Sequence, residues 1–214
     1  MKSINVYVIN LKRRPERKSH SIKEYLRKDE FNLFIVEANE NRIGAVGLWS
    51  TIKYIISELV PIDDEFIIIS EDDHKFTEYY DKKMLFNLID KAKELDADIL
   101  LGGVSWFNTA VQISPQLFWA DKFNGLQFTV VYRKFFNTIL QTILEVDDPC
   151  DYLISELTEN KLIIYPFVST QKEFGYSDVT SKNSTKGYVE KIFNASSERL
   201  DCLVKIGSFY NMKY

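Results

Sequence analysis

Apolar runs and segments of helical spacing alternate along the first half of the chain. The apolar runs are bounded by polar residues, as is typical of buried strands, and they cover 4–9, 31–36, 66–69 and 98–101. Apolar residues between these runs recur every three or four positions, which predicts amphipathic helices over 16–28, 44–59 and 80–95. This order predicts an α/β fold, with a mainly parallel, doubly wound central sheet that helices flank through right-handed crossovers.

The second half of the chain has a different pattern. We predict strands over 117–122 and 126–132, joined by a turn at Asn124-Gly125, because this dipeptide favours tight turns. Helices are expected over 134–144, from 147 and from about 187, and short strands over 162–165 and 167–170. Residues 173–186 are rich in Ser, Thr, Gly, Asn and Asp, which predicts a loop that could cover a site.

Composition narrows the class of protein. The 214 residues fit one domain, and 45% hydrophobic with 27% charged residues is an ordinary globular balance. A formal net charge of −4 argues against a general nucleic-acid binder. Two cysteines are too few for a disulfide framework, and neither a membrane span nor a signal peptide is evident. We therefore expect a cytoplasmic protein, free or peripheral to a membrane.

Three consecutive acids, Glu71, Asp72 and Asp73, directly follow the apolar run 66–69. Open α/β sheets bind ligands at the carboxyl ends of their strands. Adjacent carboxylates repel one another unless a cation or hydrogen-bond donors hold them, and hard oxygen ligands suit Mg²⁺ or Mn²⁺. A solvated acidic turn is the alternative, and the buried strand just before the acids favours a metal site.

A basic turn follows the first strand and precedes the first helix. It contains Lys12, Arg13, Arg14 and Arg17. Helix-terminal N–H groups and cationic side chains together form a common phosphate site, although a solvated helix start has the same composition. In a parallel sheet the strand ends at Asn10, Glu71 and Gly102 would converge on one edge.

Four segments in this order resemble the family 25 glycosyltransferases, which include lipopolysaccharide-modifying and collagen-type sugar transferases. The first is Val8-Ile9-Asn10-Leu11 with the basic turn through Arg17, and the second is Ile69-Ser70-Glu71-Asp72-Asp73. The others are Pro149-Cys150-Asp151, then Tyr165-Pro166 with Gln171 and Ser177-Asp178-Val179. The chain differs from the family at Gly47-Leu48-Trp49-Ser50, where Cys and His are usual, and at His74, where an apolar residue is usual.

The resemblance implies a GT-A fold in a single domain over 1–214, with a nucleotide-sugar-binding half (1–103) and an acceptor-binding half (104–214). It implies a transferase, inverting in type, that moves a sugar from a UDP-sugar or similar donor to a hydroxyl of a glycan or glycoprotein acceptor. The implied cofactor is Mn²⁺ or Mg²⁺, bound by Asp73 and Glu71. The implied donor-binding residues are Asn10, Leu11, Arg13, Arg14, Arg17, Glu71 and Asp72.

A carboxylate must also accept the proton of the acceptor hydroxyl. Asp151 is the first candidate for this role, with Asp148 and Asp178 as alternatives; capping of a helix would explain such acids as well. Trp106, Phe107 and Trp119 either stack on a sugar or belong to the core. Two other functions stay open: a sugar nucleotidyltransferase and an inactive nucleotide-sugar-binding module. The basic turn lacks the glycines that the nucleotidyltransferases have in their phosphate loop.

Overall fold

The computed structural model describes residues 3–144, 149–175 and 185–213. Its strands are β1 (Ile4–Asn10), β2 (Phe31–Glu37), β3 (Phe66–Glu71), β4 (His74–Phe76), β5 (Ile99–Leu101), β6 (Trp106–Phe107), β7 (Ala110–Ser114), β8 (Leu117–Ala120), β9 (Phe123–Asn124), β10 (Phe128–Tyr132), β11 (Lys161–Ile164) and β12 (Ser169–Gln171). Its α-helices are α1 (Pro15–Tyr25), α2 (Gly44–Tyr54), α3 (Lys82–Glu94), α4 (Arg133–Gln141), α5 (Cys150–Leu157) and α6 (Tyr188–Phe209), and a π-helical segment, Ile55–Leu59, continues α2. Within these ranges no helix is long and apolar enough to cross a bilayer.

Eight strands form one mixed sheet in the order β2-β1-β3-β10-β5-β11-β8-β7. The pairs β1–β2, β1–β3 and β5–β11 are parallel, whereas β10 lies antiparallel between β3 and β5. Strand β8 is antiparallel to both β11 and β7. Within this sheet, all strands except β10 and β8 thus run in one direction, and the predicted α/β class with a mainly parallel sheet is confirmed.

Helices cover both faces of this sheet because its central strands are apolar on both sides. Along β3, Ile67 and Ile69 join one buried cluster and Ile68 joins the other, as the alternation of side chains in a strand requires. Helices α2, α4, α5 and α6 contribute apolar residues to the first cluster, and α1 and α3 contribute to the second. The predicted doubly wound arrangement follows from this two-sided burial.

The turn predicted at Asn124-Gly125 is present, but it does not join β8 and β10 into a hairpin. Strand β8 pairs with β7 and β11, while β10 pairs with β3 and β5, so the two strands are not neighbours. Every residue of β10 is buried, and a strand apolar on both faces is stabilised most at the centre of the sheet. Gly125 instead lets the chain turn at a φ of +133° between the short strand β9 and β10.

Candidate functional site

A cleft of about 330 Å³ opens at the carboxyl ends of the first three strands, and we call it the strand-end cleft. The end of β1, the start of α1, the loop 38–42, the start of α2 and the three acids after β3 line it. Its charged side chains are those of Arg13, Arg14, Arg17, Arg42, Glu40, Glu71, Asp72 and Asp73. The basic turn and the acids therefore face the same space, as the sequence predicts. Gly102 does not line this cleft; its backbone packs against Phe128 and Val168.

The second acid of the turn Glu71–Asp73, here called the acid turn, is fully engaged within the protein. Asp72 is buried, and its two carboxylate oxygens accept hydrogen bonds from Arg17 Nη1 (2.9 Å) and Asn10 Nδ2 (2.8 Å). Its carbonyl oxygen accepts a bond from Ser21 Oγ at 3.2 Å. Asp72 therefore fastens α1 and β1 to the end of β3. The predicted contacts of Asn10, Arg17 and Asp72 with a nucleotide stay predictions.

The third acid is only half satisfied. Asp73 Oδ2 accepts from Arg17 Nη1 at 3.2 Å, while its buried Oδ1 has no hydrogen-bond partner among the described residues. Burial raises the pKa of Asp73 to about 6, although the Arg17 guanidinium opposes this shift. Its backbone carbonyl is held by the N–H of Lys172 at 2.7 Å. Asp73 thus keeps an acceptor oxygen at a place where a cation would lower its energy.

The first acid is also under electrostatic strain. Among the described residues, the Glu71 carboxylate accepts one hydrogen bond, from Gln171 Nε2 at 3.2 Å. Burial raises the pKa of Glu71 well above its usual range, and repulsion from Asp73, Asp151 and Asp72 adds to this rise. Arg17 lowers it, yet one guanidinium does not balance several carboxylates. Glu71 is therefore repelled by its neighbouring carboxylates more than Arg17 attracts it.

These acids fit a divalent ion that substrate oxygens would help to bind. In the described ranges, no group of three or more His, Cys, Asp or Glu side chains is placed to hold a metal by itself. Mg²⁺ and similar ions commonly bind through one or two carboxylates together with substrate phosphates. Asp73 Oδ1 and Glu71 could supply such a pair. The Mn²⁺ or Mg²⁺ site stays a prediction.

The basic turn presents its residues to the cleft in different ways. Arg13 is exposed and pairs with Glu40 at 3.0 Å, and Arg14 is buried. The N–H of Arg14 donates to the carbonyl of Leu11 at 2.8 Å, which closes the turn before α1. Arg42, an exposed residue of the loop 38–42, also lines the cleft. Arg42 was not predicted from the sequence, because this loop has no periodic pattern and no motif.

Asp151 lies at the start of α5, close to the acid turn. Its Oδ2 accepts a hydrogen bond from the N–H of Gly125 at 2.6 Å, and burial raises its pKa. The preceding residue, Cys150, donates to the carbonyl of Ala45 in α2 at 3.0 Å, which holds the start of α5 against a helix that lines the cleft. Asp148 and Asp178, the alternative proton acceptors, lie outside the described residues.

Two further residues contact the acid turn or the strand that follows it. Gln127, just before β10, is fully buried; its backbone carbonyl accepts from the N–H of Glu71 at 3.2 Å, and its side-chain amide donates to the carbonyl of Gly103 at 2.8 Å. Gln127 was not predicted from the sequence, since a lone Gln beside an apolar strand carries no signal. His74 begins β4 and shares a 2.8 Å hydrogen bond between Nδ1 and Ser169 Oγ. Its ring lies among aromatic rings, including that of Phe76, and outside the lining of the strand-end cleft.

The class of the fold is an α/β domain with a mixed central sheet, and solved structures share it. A197 from STIV superposes with a TM-score of 0.55 at 11% identity, covering 82% of this chain and 87% of that one. UDP-glucose pyrophosphorylase complexed with UDP-glucose gives 0.51 at 9% identity, covering 92% and 81% respectively. No protein-family model and no curated protein matches the sequence. At these identities the likeness establishes the fold.

Proposed function

We propose that this protein is a metal-dependent glycosyltransferase. It moves a sugar from a nucleotide-diphosphate sugar, of the UDP type, to a hydroxyl of a glycan or glycoprotein acceptor. The observation that carries the proposal is the acid turn: Asp73 Oδ1 is buried without a partner in the part of the chain that the structure describes, and Glu71 is repelled by three other carboxylates. A divalent ion would relieve both and would stabilise a leaving diphosphate as a Lewis acid.

The strand-end cleft supports binding of the donor. Its volume of about 330 Å³ lies in the usual range of small-molecule sites. Arg13, Arg14 and Arg42 line the cleft and bring positive charge to it, which suits a diphosphate. The similarity in fold to a UDP-glucose pyrophosphorylase supports a UDP-sugar as the donor. The division into a donor half (1–103) and an acceptor half (104–214) belongs to the same proposal.

Asp151 is the proposed acceptor of the proton from the attacking hydroxyl. Burial raises its pKa, which makes the carboxylate a stronger base than an exposed one. The Gly125 N–H holds one carboxylate oxygen, so the orientation of the group is fixed. Its charge acts on Glu71, which supports a role beside the proposed donor site. Asp148 and Asp178 remain the alternatives.

A sugar nucleotidyltransferase is the second candidate, favoured by the fold similarity to a pyrophosphorylase. The two activities consume UDP-sugars differently. A glycosyltransferase releases UDP from the donor, by transfer or slow hydrolysis, whereas a nucleotidyltransferase forms UTP when pyrophosphate is added. Incubating a panel of UDP-sugars with Mn²⁺, with and without pyrophosphate, distinguishes them by product. Tight UDP-sugar binding without either product would favour the inactive module, in which the pairing of Arg17 with the acids is purely structural.

The metal site is tested by calorimetric titration of UDP with and without Mn²⁺. We expect Mn²⁺ to strengthen UDP binding in the wild type, and Asp73→Asn to remove this gain. Asp63→Asn is the matched control, since Asp63 is an exposed acid outside the lining of the cleft. If Asp73→Asn keeps the full Mn²⁺-dependent gain, Asp73 is not a metal ligand and the proposal loses its main support.

A further inference from the structure

Two aromatic side chains form a half-exposed pair beside Asp151, and we call this pair the aromatic corner. The rings of Trp106 and Tyr152 have centroids 6.0 Å apart and planes inclined by 62°. Trp106 is 40% exposed and Tyr152 is 38% exposed, whereas the neighbouring Phe107 is 2% exposed. Phe107 is thus a core residue, and the aromatic corner keeps apolar ring surface open to a ligand.

Short polar contacts fix the aromatic corner relative to Asp151. Trp106 in β6 is the register partner of Asn124 in β9, and the side chain of Asn124 accepts a 2.8 Å hydrogen bond from Ser105 Oγ. The next residue, Gly125, donates its N–H to Asp151, and Tyr152 follows Asp151 in α5. Both rings and the carboxylate are therefore held by β6, by the turn after β9 and by the start of α5. Their geometry does not depend on a long loop.

Gly125 makes this arrangement possible by its lack of a side chain. A Cβ at this position would lie 2.8 Å from Gln127 Oε1 and 3.3 Å from Val104 Cα. Its φ of +133° also disfavours any other residue. The close approach brings β9 against the segment that precedes β6, and it leaves the Gly125 N–H directed at Asp151.

Asp151 links the aromatic corner to the strand-end cleft. The charge of Asp151 acts on Glu71, which lines the cleft, and α5 is joined to the start of α2 by the bond from Cys150 to Ala45. On its other side, Asp151 is bonded to Gly125 and is followed in α5 by Tyr152, which belongs to the aromatic corner. An acceptor whose hydroxyl reaches the proposed base would therefore have these two exposed rings nearby.

We propose that the aromatic corner is the acceptor subsite and that it binds a pyranose ring of a carbohydrate acceptor. The apolar C–H face of the sugar would pack on Trp106, with Tyr152 against the edge of the sugar ring, and a hydroxyl would point to Asp151. Packing of this kind removes apolar surface of both partners from water and needs little reorganisation of rigid rings. The inference rests on the proposed function, and it selects a carbohydrate over a protein side chain as the accepting group.

Saturation-transfer-difference NMR with methyl glycosides of glucose, galactose, mannose and N-acetylglucosamine tests the subsite. We expect at least one of them to bind the wild type through its C–H face. Its dissociation constant should rise about three- to tenfold in Trp106→Ala and less in Trp106→Phe, since the latter keeps an aromatic ring. Tyr79→Ala is the control, because Tyr79 is 54% exposed and belongs to another part of the surface, after β4.

Binding of UDP with Mn²⁺ to the same variants separates the two proposals. Unchanged UDP affinity in Trp106→Ala, together with weakened glycoside binding, supports the subsite. If the wild type binds UDP and no glycoside of the panel, or if Trp106→Ala and Trp106→Phe bind the glycosides as the wild type does, the subsite is overturned and the proposed function stands. Glycoside binding that depends on Trp106, without any binding of UDP-sugars, supports the carbohydrate site and overturns the proposed function.

Discussion

Neutralising Asp73 should make the protein more stable, contrary to the usual effect of removing a partly buried ion pair. Its side chain is only 15% exposed, and one of its oxygens has no hydrogen-bond partner among the described residues. Asp73→Asn keeps the shape of the side chain and can still accept a hydrogen bond from Arg17. The substitution therefore removes mainly the charge, and the charge is what burial and Asp72 oppose.

The expected magnitude follows from the pKa of Asp73. Folding raises this pKa from 3.8 to about 6, so the native state binds the proton more tightly than the unfolded chain does. The free energy of unfolding then falls as the pH rises from about 4 to about 6. Above that range, the native state bears the full cost of the buried Asp73 charge. The shift in pKa corresponds to a loss of about 3 kcal/mol in the free energy of unfolding at pH 7.5 and about half of that at pH 5. These figures are upper limits for the gain in Asp73→Asn, because the weaker bond to Arg17 subtracts from them.

Urea unfolding in EDTA, at pH 7.5 and pH 5, measures this effect. We expect Asp73→Asn to raise the free energy of unfolding at pH 7.5 and to raise it by about half as much at pH 5. Asp72→Asn is the matched contrast, since Asp72 accepts two short hydrogen bonds and its replacement should destabilise the fold. If Asp73→Asn lowers the free energy of unfolding at pH 7.5, the ion pair with Arg17 already compensates the buried charge of Asp73. Asp73 would then need no further cation.

Three further predictions concern the surroundings of the acid turn. Arg17→Leu leaves Asp72 buried without its guanidinium partner and should lower the free energy of unfolding by about 3–5 kcal/mol; a loss below about 1 kcal/mol in urea unfolding would contradict the pairing. Burial lowers the pKa of His74 well below 6.5, so its imidazole resonances should not titrate between pH 8 and pH 5.5 in an NMR titration, and a midpoint near 6.5 would refute this. Gly47→Ala places a Cβ 2.4 Å from the carbonyl oxygen of Asn39 and should destabilise the protein by about 1–3 kcal/mol, seen as a lower melting temperature; an unchanged one would contradict the close approach.

The first half of the fold could be predicted because each element is specified locally. Strand β3 begins with a continuous apolar run. Helix α3 is preceded by its N-cap residue, Asp81, whose side chain accepts a hydrogen bond from the N–H of Met84. The second half depends on partners that are distant in sequence. Strand β10 lies between β3 and β5, some 60 and 30 residues earlier in the chain, and nothing within 126–132 states this partnership. The turn signal at Asn124-Gly125 therefore does not identify which strands pair with β8 and β10.

The sequence predicts those parts of the candidate site that directly follow a strand. The acids and the basic turn meet because the register pairs Ile9 with Glu71 across parallel neighbours. Gln127 and Arg42 could not be found in this way, since one reaches the acids through an antiparallel strand and the other through an irregular loop. Isolated polar residues in irregular loops or beside antiparallel strands follow no periodic pattern, and they have no fixed spacing from the acids that they support.

The three acids are adjacent in the sequence, but they differ in their hydrogen-bond partners. Asp72 pairs with the Arg17 guanidinium and accepts a hydrogen bond from Asn10, so it has little capacity left for a ligand. Asp73 shares the same guanidinium nitrogen at a longer distance, 3.2 Å against 2.9 Å, and keeps one oxygen without a partner within the described ranges. A guanidinium nitrogen that two carboxylates share can hold the turn together, yet Glu71 stays under repulsion from Asp73, Asp151 and Asp72. A second cation, bound with the substrate, would complete the charge balance only when the cleft is occupied, which is the condition that a metal-dependent transfer requires.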